Sequence, residues 1–538
     1  MRYLSWLWDS TGGFRLNIAF RIVAGLGRVS LGLLMVWLSK LFIDETIRTG
    51  SDSDIVRMVV FLVLTVVGGI VLRLVFYYMT TAAVVRKSNA LRLEVFEGLF
   101  SRSLYGGGRL HSGDVASRLS KDIEAVATTS MDTLPQMLVT GLQLVGAFLL
   151  MRWFDARLAW ALLLFTPVAI VLGKLVSRKL RNMTLEIRDR ESRVQMQVQE
   201  GVEFNAVLRS LESEGWVAGR LGQMQGELEA KVLKRTRFTT VSRFALGSAF
   251  GLGYLFAFVW GGLGLRDGAI TVGMLTSFLQ LVGQIQGPIL SILNMVPQVV
   301  HSTASIDRLQ ELRGAPAVRG KGVALEGVPG IRVSGVRFGY GTDGDGVIDG
   351  FGHDFRPGSK TAIMGTTGAG KTTFFRLLLG LARPEGGRLL LYSGASEVEI
   401  SEETRLNFVY VPQGNTLLSG TVRFNLQLAK PDAGEEEMRR VLHEACADFV
   451  LDMPQGLDTE LGERGLGLSE GQAQRIAVAR GLLRPGNVWL FDEVGSALDE
   501  ETERELFRRL LEAYPGKTML FVTHRGTVAS ICDEILTF

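Results

Sequence analysis

The residues most able to do chemistry cluster in two stretches. The first reads Ile363-Met364, then Gly365-Thr366-Thr367-Gly368-Ala369-Gly370-Lys371-Thr372-Thr373, then the apolar run Phe374-Phe375-Arg376-Leu377-Leu378-Leu379. Strand, glycine-rich loop and helix in that order form the setting in which a loop cradles phosphates. The glycines let successive backbone N–H groups turn inward on an anion, and the helix N-terminus adds positive potential. Lys371 can reach the outer phosphates of a nucleotide, and the Thr372 hydroxyl can hold Mg²⁺. A glycine-rich turn before an ordinary helix would not need Lys371 and Thr372 in this register. The second stretch, Val488-Trp489-Leu490-Phe491, ends in Asp492-Glu493. An acid at the carboxyl end of a buried strand can meet Mg²⁺ through water, and a neighbouring acid can orient an attacking water. Such a pair says little alone. About 120 residues after the phosphate loop, it points to hydrolysis of a nucleoside triphosphate.

The elements that must position these residues occupy less than half of the chain. The 538 residues are 47% hydrophobic and 21% charged, and the mean hydropathy of +0.23 calls for a membrane portion. A net charge of +3, from 58 basic and 55 acidic residues, does not mark a nucleic-acid binder. Two cysteines, Cys446 and Cys532, exclude a disulfide scaffold and fit no metal motif. The apolar bulk lies before about residue 305. Stretches near the roughly 20 residues needed to cross hydrocarbon predict six membrane helices, at about 16–43, 58–85, 133–153, 157–175, 244–265 and 268–305. Arg21 and Arg28 make the first the weakest, since a cation near a helix centre costs about 2.5–3.5 kcal/mol on insertion scales. The long connections 86–132 and 174–243 read as helical extensions, and their basic residues place them, the N-terminus and the C-terminal region in the cytoplasm. No signal peptide is expected. Trp6 and Trp8 suit either an interfacial helix or a frayed apolar start. The expected division is a membrane domain over 1–306, a Gly/Pro-rich linker over 307–330 and an α/β domain over 331–538.

Further motifs fall in order around the phosphate loop. They are Tyr340 after Val336-Arg337-Phe338-Gly339, Gln413 in Val411-Pro412-Gln413, Leu468-Ser469-Glu470-Gly471-Gln472, Ser496-Ala497-Leu498-Asp499, and His524 in Phe521-Val522-Thr523-His524-Arg525. With them, the region from 331 onward resembles the nucleotide-binding domain of the ATP-binding cassette (ABC) superfamily. The resemblance implies that Tyr340 stacks on adenine and that residues 365–373 cradle the ATP phosphates. It makes Gln413 the Q-loop residue, at Mg²⁺ and the attacking water, with Thr372 and Asp492 also at the metal. Ser469, Gly471 and Gln472 become the signature, Asp499 the D-loop acid, and Glu493 and His524 the catalytic carboxylate and switch histidine. The implied fold is a six-helix transmembrane domain followed by an α/β P-loop NTPase domain of ABC type, with ATP and Mg²⁺ as cofactors.

Fusion of membrane spans ahead of the nucleotide domain resembles the exporters of the family. So do Leu418-Ser419-Gly420-Thr421-Val422-Arg423-Phe424-Asn425-Leu426 and Thr459-Glu460-Leu461-Gly462-Glu463-Arg464-Gly465, and, in the membrane half, Ser112-Gly113-Asp114-Val115 and Gly273-Met274 through Pro288. The resemblance implies a half-transporter that pairs with a second chain, as a homodimer or a heterodimer, each ATP lying between the P-loop of one subunit and the signature of the other. It places coupling contacts near 106–116 and 201–211, beside Gln413, and the protein in a bacterial inner membrane. Three departures stand out. Glu470 replaces the commoner Gly, Ala473 replaces a usually basic residue, and the chain ends at Phe538, without the family's usual tail. Glu470 either slows closure or points outward, and the outward reading is preferred. Gln280, Gln284, Ser291, Asn294 and Gln298 share one helix face, as do Gln136, Thr140 and Gln143, suiting either cargo contact or interhelical hydrogen bonds. Arg21 and Arg28 could meet an anionic head group or snorkel to the interface. The expected cargo is amphipathic: lipid-like, peptide or drug-like. An ATP-gated regulator or channel without active transport is the alternative, and six apolar spans disfavour a soluble nucleic-acid-handling ATPase.

Overall fold

A computed structural model describes residues 2–100, 112–313, 322–340, 346–366, 368–462 and 467–538. Thr367, Glu463, Arg464, Gly465 and the stretch 106–111 therefore lie outside the described residues. The chain divides into two units, Met1–Glu97 with Gly113–Arg313 and Gly98–Ser112 with Gly314–Phe538.

The first unit is helical. Its long helices are α1 (Arg15–Leu41), α2 (Asp52–Phe100), α3 (Leu134–Phe154), α4 (Ala156–Glu203), α5 (Glu214–Arg266) and α6 (Val272–Arg313). At 1.5 Å per residue, α2, α4 and α5 are each roughly 70–80 Å long, more than twice the hydrocarbon thickness. Five described helical stretches are long and apolar enough to cross a membrane: Gly12–Thr49, Asp52–Leu99, Asp114–Phe154, Glu214–Arg266 and Val272–Leu312. The expected span at 157–175 falls within α4, most of whose side chains there are outside the described set.

Each sharp corner has a local cause. Between α3 and α4, Asp155 is extended, and its Oδ1 accepts hydrogen bonds from the N–H groups of Arg157 (2.8 Å) and Leu158 (3.1 Å), capping α4. At the start of α6, the Asp44 carboxylate accepts from Thr271 Oγ1 (2.5 Å) and the Gly273 N–H (2.8 Å). A Cβ on Gly273 would lie 2.6–2.7 Å from Asp44 and the Lys40 carbonyl, so only glycine admits this approach. Before α3 the helix passes through two π-helical segments, Arg118–Asp122 and Thr129–Thr133. Asp122 binds α6 there. It accepts from Arg308 Nε (2.7 Å), Arg308 Nη2 (2.5 Å) and Ser305 Oγ (2.8 Å).

Several sequence expectations change. Helix α6 runs through Arg313, so 307–313 is helix rather than linker, held in part by Arg118 on Glu311 (2.8 Å). At the far end of the expected linker, the Val323 and Leu325 N–H groups already bond to Glu403 O and Asn407 Oδ1 of the second unit, both at 2.8 Å. The first residues are not frayed. Helix Arg2–Ser10 buries Leu7, and the Tyr3 hydroxyl donates to Asp307 at 2.9 Å. Arg21 does not snorkel. It is fully buried and bonds Thr80 Oγ1 (3.2 Å) and the Met131 carbonyl. The polar faces of α3 and α6 bond each other, Gln143 Nε2 to Gln284 Oε1 at 2.7 Å and Thr133 Oγ1 to Gln298 Oε1 at 3.2 Å. These pairs take the interhelical reading.

The second unit is built on two main sheets. Strands β1 (Gly330–Gly339), β2 (Gly346–Phe355), β4 (Gly386–Ser393) and β5 (Ser396–Glu399) form an antiparallel sheet in the order β2-β1-β4-β5. Strands β3 (Lys360–Met364), β6 (Phe408–Val411), β9 (Val488–Asp492), β10 (Thr518–Val522) and β11 (Glu534–Thr537) form a parallel sheet in the order β11-β3-β10-β9-β6. A small ribbon pairs β7 (Gly420–Thr421) with β8 (Glu460–Leu461). The strand β9 is buried along its whole length, which explains its unbroken apolar sequence. Successive side chains alternate between two cores. Val488 and Leu490 join Phe374, Phe375 and Leu378, whereas Trp489 and Phe491 join Ile476, Phe507 and Phe521. The sheet is thereby fixed between the helix after the phosphate loop on one face and the signature helix on the other.

Candidate functional site

The phosphate loop connects β3 to helix α7 (Lys371–Leu378). Gly368 and Gly370 adopt positive φ, +88° and +94°, the left-handed turn that aims backbone N–H groups to one side. A Cβ on Gly370 would come within 2.9 Å of the Val347 carbonyl, and one on Gly365 within 2.7 Å of the Phe538 carbonyl. The loop therefore lies tight against β2 and the end of β11. Lys371 is only 5% exposed, and its Nζ donates to the Gly365 and Thr366 carbonyls at 2.8 and 2.9 Å. The ammonium thus lies folded over the loop that a phosphate would fill.

The Asp492 carboxylate closes one side. Thr372 Oγ1 donates to its Oδ1 (3.3 Å) and the Tyr410 hydroxyl to its Oδ2 (3.2 Å). Burial pushes its carboxyl above the ordinary carboxylate range, the two hydrogen bonds oppose this, and the Glu493 charge adds to it. Thr372 and Asp492 together present hard oxygen donors of the kind Mg²⁺ takes. A bound dication would oppose the burial penalty on Asp492, so the donor set fits the ion.

Glu493 begins the turn after β9 with φ +51°, a left-handed conformation that costs a non-glycine residue about 1 kcal/mol or more. Its backbone is held on both sides, the N–H by the Val522 carbonyl (2.9 Å) and the carbonyl by Gln474 Nε2 (3.1 Å) and Ser496 Oγ (2.9 Å). Gln413 Nε2 donates to its Oε2 at 2.5 Å, and His524 Nε2 lies 3.2 Å from its Oε1. Two residues distant in sequence thus meet on one carboxylate.

Tyr340 closes another side of α7. Its hydroxyl lies 3.1 Å from Thr373 Oγ1 and accepts from Arg376 Nη1 at 3.0 Å, and its ring meets Phe338 edge-on at 4.9 Å. Tyr340 as a whole remains 41% exposed, which leaves surface for a stacked base. Ala369 sits in the loop, its N–H on the Thr366 carbonyl at 3.2 Å.

Ser469, Gly471 and Gln472 form a second patch, at the N-terminus of helix α8 (Glu470–Leu482). Ser469 caps the helix in a reciprocal box, Oγ accepting from the Gln472 N–H (3.2 Å) and Gln472 Oε1 accepting from the Ser469 N–H (2.9 Å). Ser469 is exposed, and so is Glu470. Gly471 abuts the loop after β9, since a Cβ there would lie 2.7 Å from the Ala497 carbonyl. Asp499 caps helix α9 (Glu500–Ala513), taking the Thr502 N–H (2.9 Å) and Oγ1 (2.8 Å). Its carboxylate is engaged in that cap and does not join the Glu493 group.

Sequence reasoning missed Tyr410, Gln474, Ser496 and Arg525. Arg525 follows His524 and reaches back, Nη1 to the Leu498 carbonyl (2.9 Å) and Nη2 to the Ser496 carbonyl (3.0 Å). Nη1 also lies 3.4 Å from Glu503 Oε2, which accepts from Thr527 Oγ1 at 2.6 Å. Adjacency to His524 and to the Ser496–Asp499 motif was the available signal for Arg525. For Tyr410 it was position, three residues before Gln413 on a strand paired with β9.

Residues 17–289 match the family model for the ABC transporter transmembrane region, and 348–496 match that for the ABC transporter. The chain belongs to the ABC transporter family. It carries the transmembrane and ATP-binding regions of that family fused in one polypeptide, and it is an ATP hydrolase coupled to transport. An ATP-dependent lipid A-core flippase of Photobacterium profundum is 25% identical over 540 residues, 98% of this chain and 92% of its own. The protein of the same name from Pseudomonas aeruginosa is 29% identical over 434 residues, 79% of this chain and 71% of its own. YgaD of Bacillus subtilis, named for multidrug export, is 25% identical over 534 residues, 97% of this chain and 92% of its own. A bacterial Atm1-family ABC exporter solved with ATP bound superposes with a TM-score of 0.84 at 21% identity, over 98% of this chain and 93% of that one. The fold of this ABC transporter is thus shared with exporters along its length.

Proposed function

We propose that this ABC transporter works as a homodimeric exporter or flippase that moves an amphipathic substrate by alternating access. The nucleotide-binding unit would stand on the cytoplasmic side of a bacterial inner membrane. The observation that carries the reading is the meeting of Gln413 and His524 on Glu493, one residue from the Asp492–Thr372 pair.

In this reading Tyr340 stacks on adenine, while Gly365, Thr366, Gly368, Ala369, Gly370, Lys371 and Thr373 hold the phosphates. Thr367 belongs to the same loop by sequence. Thr372, Asp492 and Gln413 hold Mg²⁺, which when bound neutralises charge on the outer phosphates. Glu493 accepts a proton from the attacking water as general base. His524 and Gln413 fix the orientation of that carboxylate, so little reorganisation is needed during the reaction. Ser469 and Gln472, exposed and half-exposed at a helix N-terminus, with the buried Gly471 between them in sequence, offer donors to the γ-phosphate bound by a second copy. Asp499 keeps the loop beside that patch in place through its cap. ATP contacts two subunits and draws them together, and its cleavage removes the contact that favoured closure. The lipid A-core flippases and YgaD support an amphipathic cargo.

The test is Glu493→Gln in full-length protein reconstituted into proteoliposomes. ATP binding should persist, whereas ATP hydrolysis and cargo export should fall by about 10²-fold or more. An ATP-dependent ion current untouched by Glu493→Gln would overturn the reading in favour of a gated channel.

A further inference from the structure

Asp492 is only 1% exposed, yet among the described residues no Lys or Arg forms an ion pair with it. A buried carboxylate ordinarily takes a cation or several donors. This one takes two hydroxyls, Thr372 Oγ1 on its Oδ1 at 3.3 Å and the Tyr410 hydroxyl on its Oδ2 at 3.2 Å. The first belongs to the helix after the phosphate loop. The second comes from a different segment, and the Mg²⁺ set of Thr372, Asp492 and Gln413 leaves it without a task.

The parallel sheet brings Tyr410 to that place. Strand β6 runs beside β9 with Tyr410 opposite Leu490 and Val411 opposite Phe491. Side chains alternate along a strand, so Tyr410, Leu490 and Asp492 share one face. Leu490 lies there in the core that contains Phe374 and Phe375 of α7, and Tyr410 packs against the same core, its ring edge-on to Phe375 at 6.2 Å. From Tyr410 to Asp492 is one strand across and two residues along, a diagonal of about 8 Å. A long side chain spans that distance. Phenylalanine would keep the ring packing and stop short of the carboxylate. Strand β6 ends at Val411, and two residues later Gln413 Nε2 donates to Glu493 Oε2. One strand end thus supplies a neutral donor to each acid of the Asp492-Glu493 pair.

The neutrality of the donor matters. A Lys or Arg in place of Tyr410 would also hold the carboxylate, but its charge would oppose a dication. A phenol occupies one oxygen with a hydrogen bond and leaves the negative charge for the metal. We propose that Tyr410 is a positioning residue for the metal ion. By donating to Oδ2 it fixes the rotation of the Asp492 carboxylate, so that this acid and the Thr372 hydroxyl meet Mg²⁺ already aligned. The proposal rests on the reading of Thr372 and Asp492 as Mg²⁺ ligands, and it gives Tyr410 no contact with ATP or with the attacking water. Such alignment is felt in the affinity for the metal, not in that for the nucleotide alone.

The experiment is equilibrium binding of a fluorescent ATP analogue to the full-length protein in detergent, once with Mg²⁺ and once with EDTA. Every sample carries Glu493→Gln to suppress turnover. The readout is the ratio of the two affinities, which is the gain that the metal brings. Tyr410→Phe should reduce this gain by about ten-fold and leave the affinity in EDTA within about two-fold. The retained ring keeps its packing on Phe375, and binding in EDTA reports that the site is folded. Asp492→Asn should also reduce the gain, and adding Tyr410→Phe to it should reduce it no further, because the hydroxyl acts through that carboxylate. An unchanged gain in Tyr410→Phe overturns the proposal. So does an equal loss with and without metal, the result of a merely structural ring, and so does a further loss in the double variant. Failure of the metal reading looks different. Equal affinity in Mg²⁺ and EDTA before any change at Tyr410 would remove the Thr372–Asp492 metal site, and the task of Tyr410 with it.

Discussion

At the scale of single residues, the nucleotide site depends on groups made costly by their setting and held by neighbours. Lys371 is buried with its ammonium on two carbonyls, and Glu493 is held in a left-handed backbone. Lys371→Ala should lower ATP affinity by about ten-fold or more, read by equilibrium binding of a fluorescent ATP analogue. The cysteines allow a different check. Burial pushes the Cys532 thiol up to about 12, and its Sγ donates to the Val528 carbonyl at 3.3 Å. Burial also raises Cys446. A raised thiol pKa means less thiolate at a given pH, about one part in 10⁴ at pH 8 for a pKa near 12. Alkylation of native protein by iodoacetamide should therefore be slow at pH 8, rise as pH approaches 12, and become fast at pH 8 only after denaturation. Peptide mass spectrometry would show it, and rapid native labelling of Cys532 would contradict the burial argument. The residues proposed to hold phosphate could be picked out in sequence because one short loop dictates their order. Tyr410 and Gln474 could not, because they act through pairing of distant segments that one sequence does not reveal.

At the scale of elements, the joints carry the specificity. Asp122 sits in a π-helical segment and holds α6 through both oxygens. Asp122→Asn should destabilise the membrane unit by roughly 1–3 kcal/mol, below the cost for a fully buried pair because Arg308 retains solvent contact. Thermal unfolding in detergent would read this, and Arg308→Lys should do less damage. In the second unit, Gly471→Ala would press a Cβ against the Ala497 carbonyl, at 2.7 Å before relaxation. The loop between β9 and helix Glu500–Ala513 should shift, lowering the ATP hydrolysis rate several-fold while leaving nucleotide binding near normal, since a Cβ on Gly471 meets Ala497 and Leu498 and not the phosphate loop. Equal loss of binding and turnover would count against that account. Apolar runs predicted the helices well where the chain is uncharged. Their ends were poorly legible, because α2, α4 and α5 continue as polar helices that run through Gly98, Gly201 and the glycines from 215 to 226 without stopping there. The extension of α6 through Arg313 was hidden for another reason. Its stability comes from Arg118 and Asp122, which are nearly two hundred residues away.

At the scale of the whole molecule, the two units divide the labour between apolar surface and chemistry. Helix α2 presents Val59, Phe61, Leu64, Ile70, Leu74 and Tyr77 outward, a face that belongs in hydrocarbon or against another membrane helix. Extraction from membranes should require detergent. Subunit pairing adds a sharper expectation. If each ATP is shared by two copies, mixing wild-type subunits with a Ser469→Arg variant should reduce hydrolysis more steeply than simple dilution. An activity strictly proportional to the wild-type fraction would argue that each chain works alone.

Arg525 has a mechanical consequence. Its guanidinium grips the carbonyls of Ser496 and Leu498 while its backbone is joined directly to His524. The histidine is therefore tethered with little slack. On the proposed cycle, a swing that broke its contact with Glu493 would pull on the loop that abuts Gly471, so a local relaxation after cleavage would be felt as torque at the N-terminal edge of helix Glu470–Leu482.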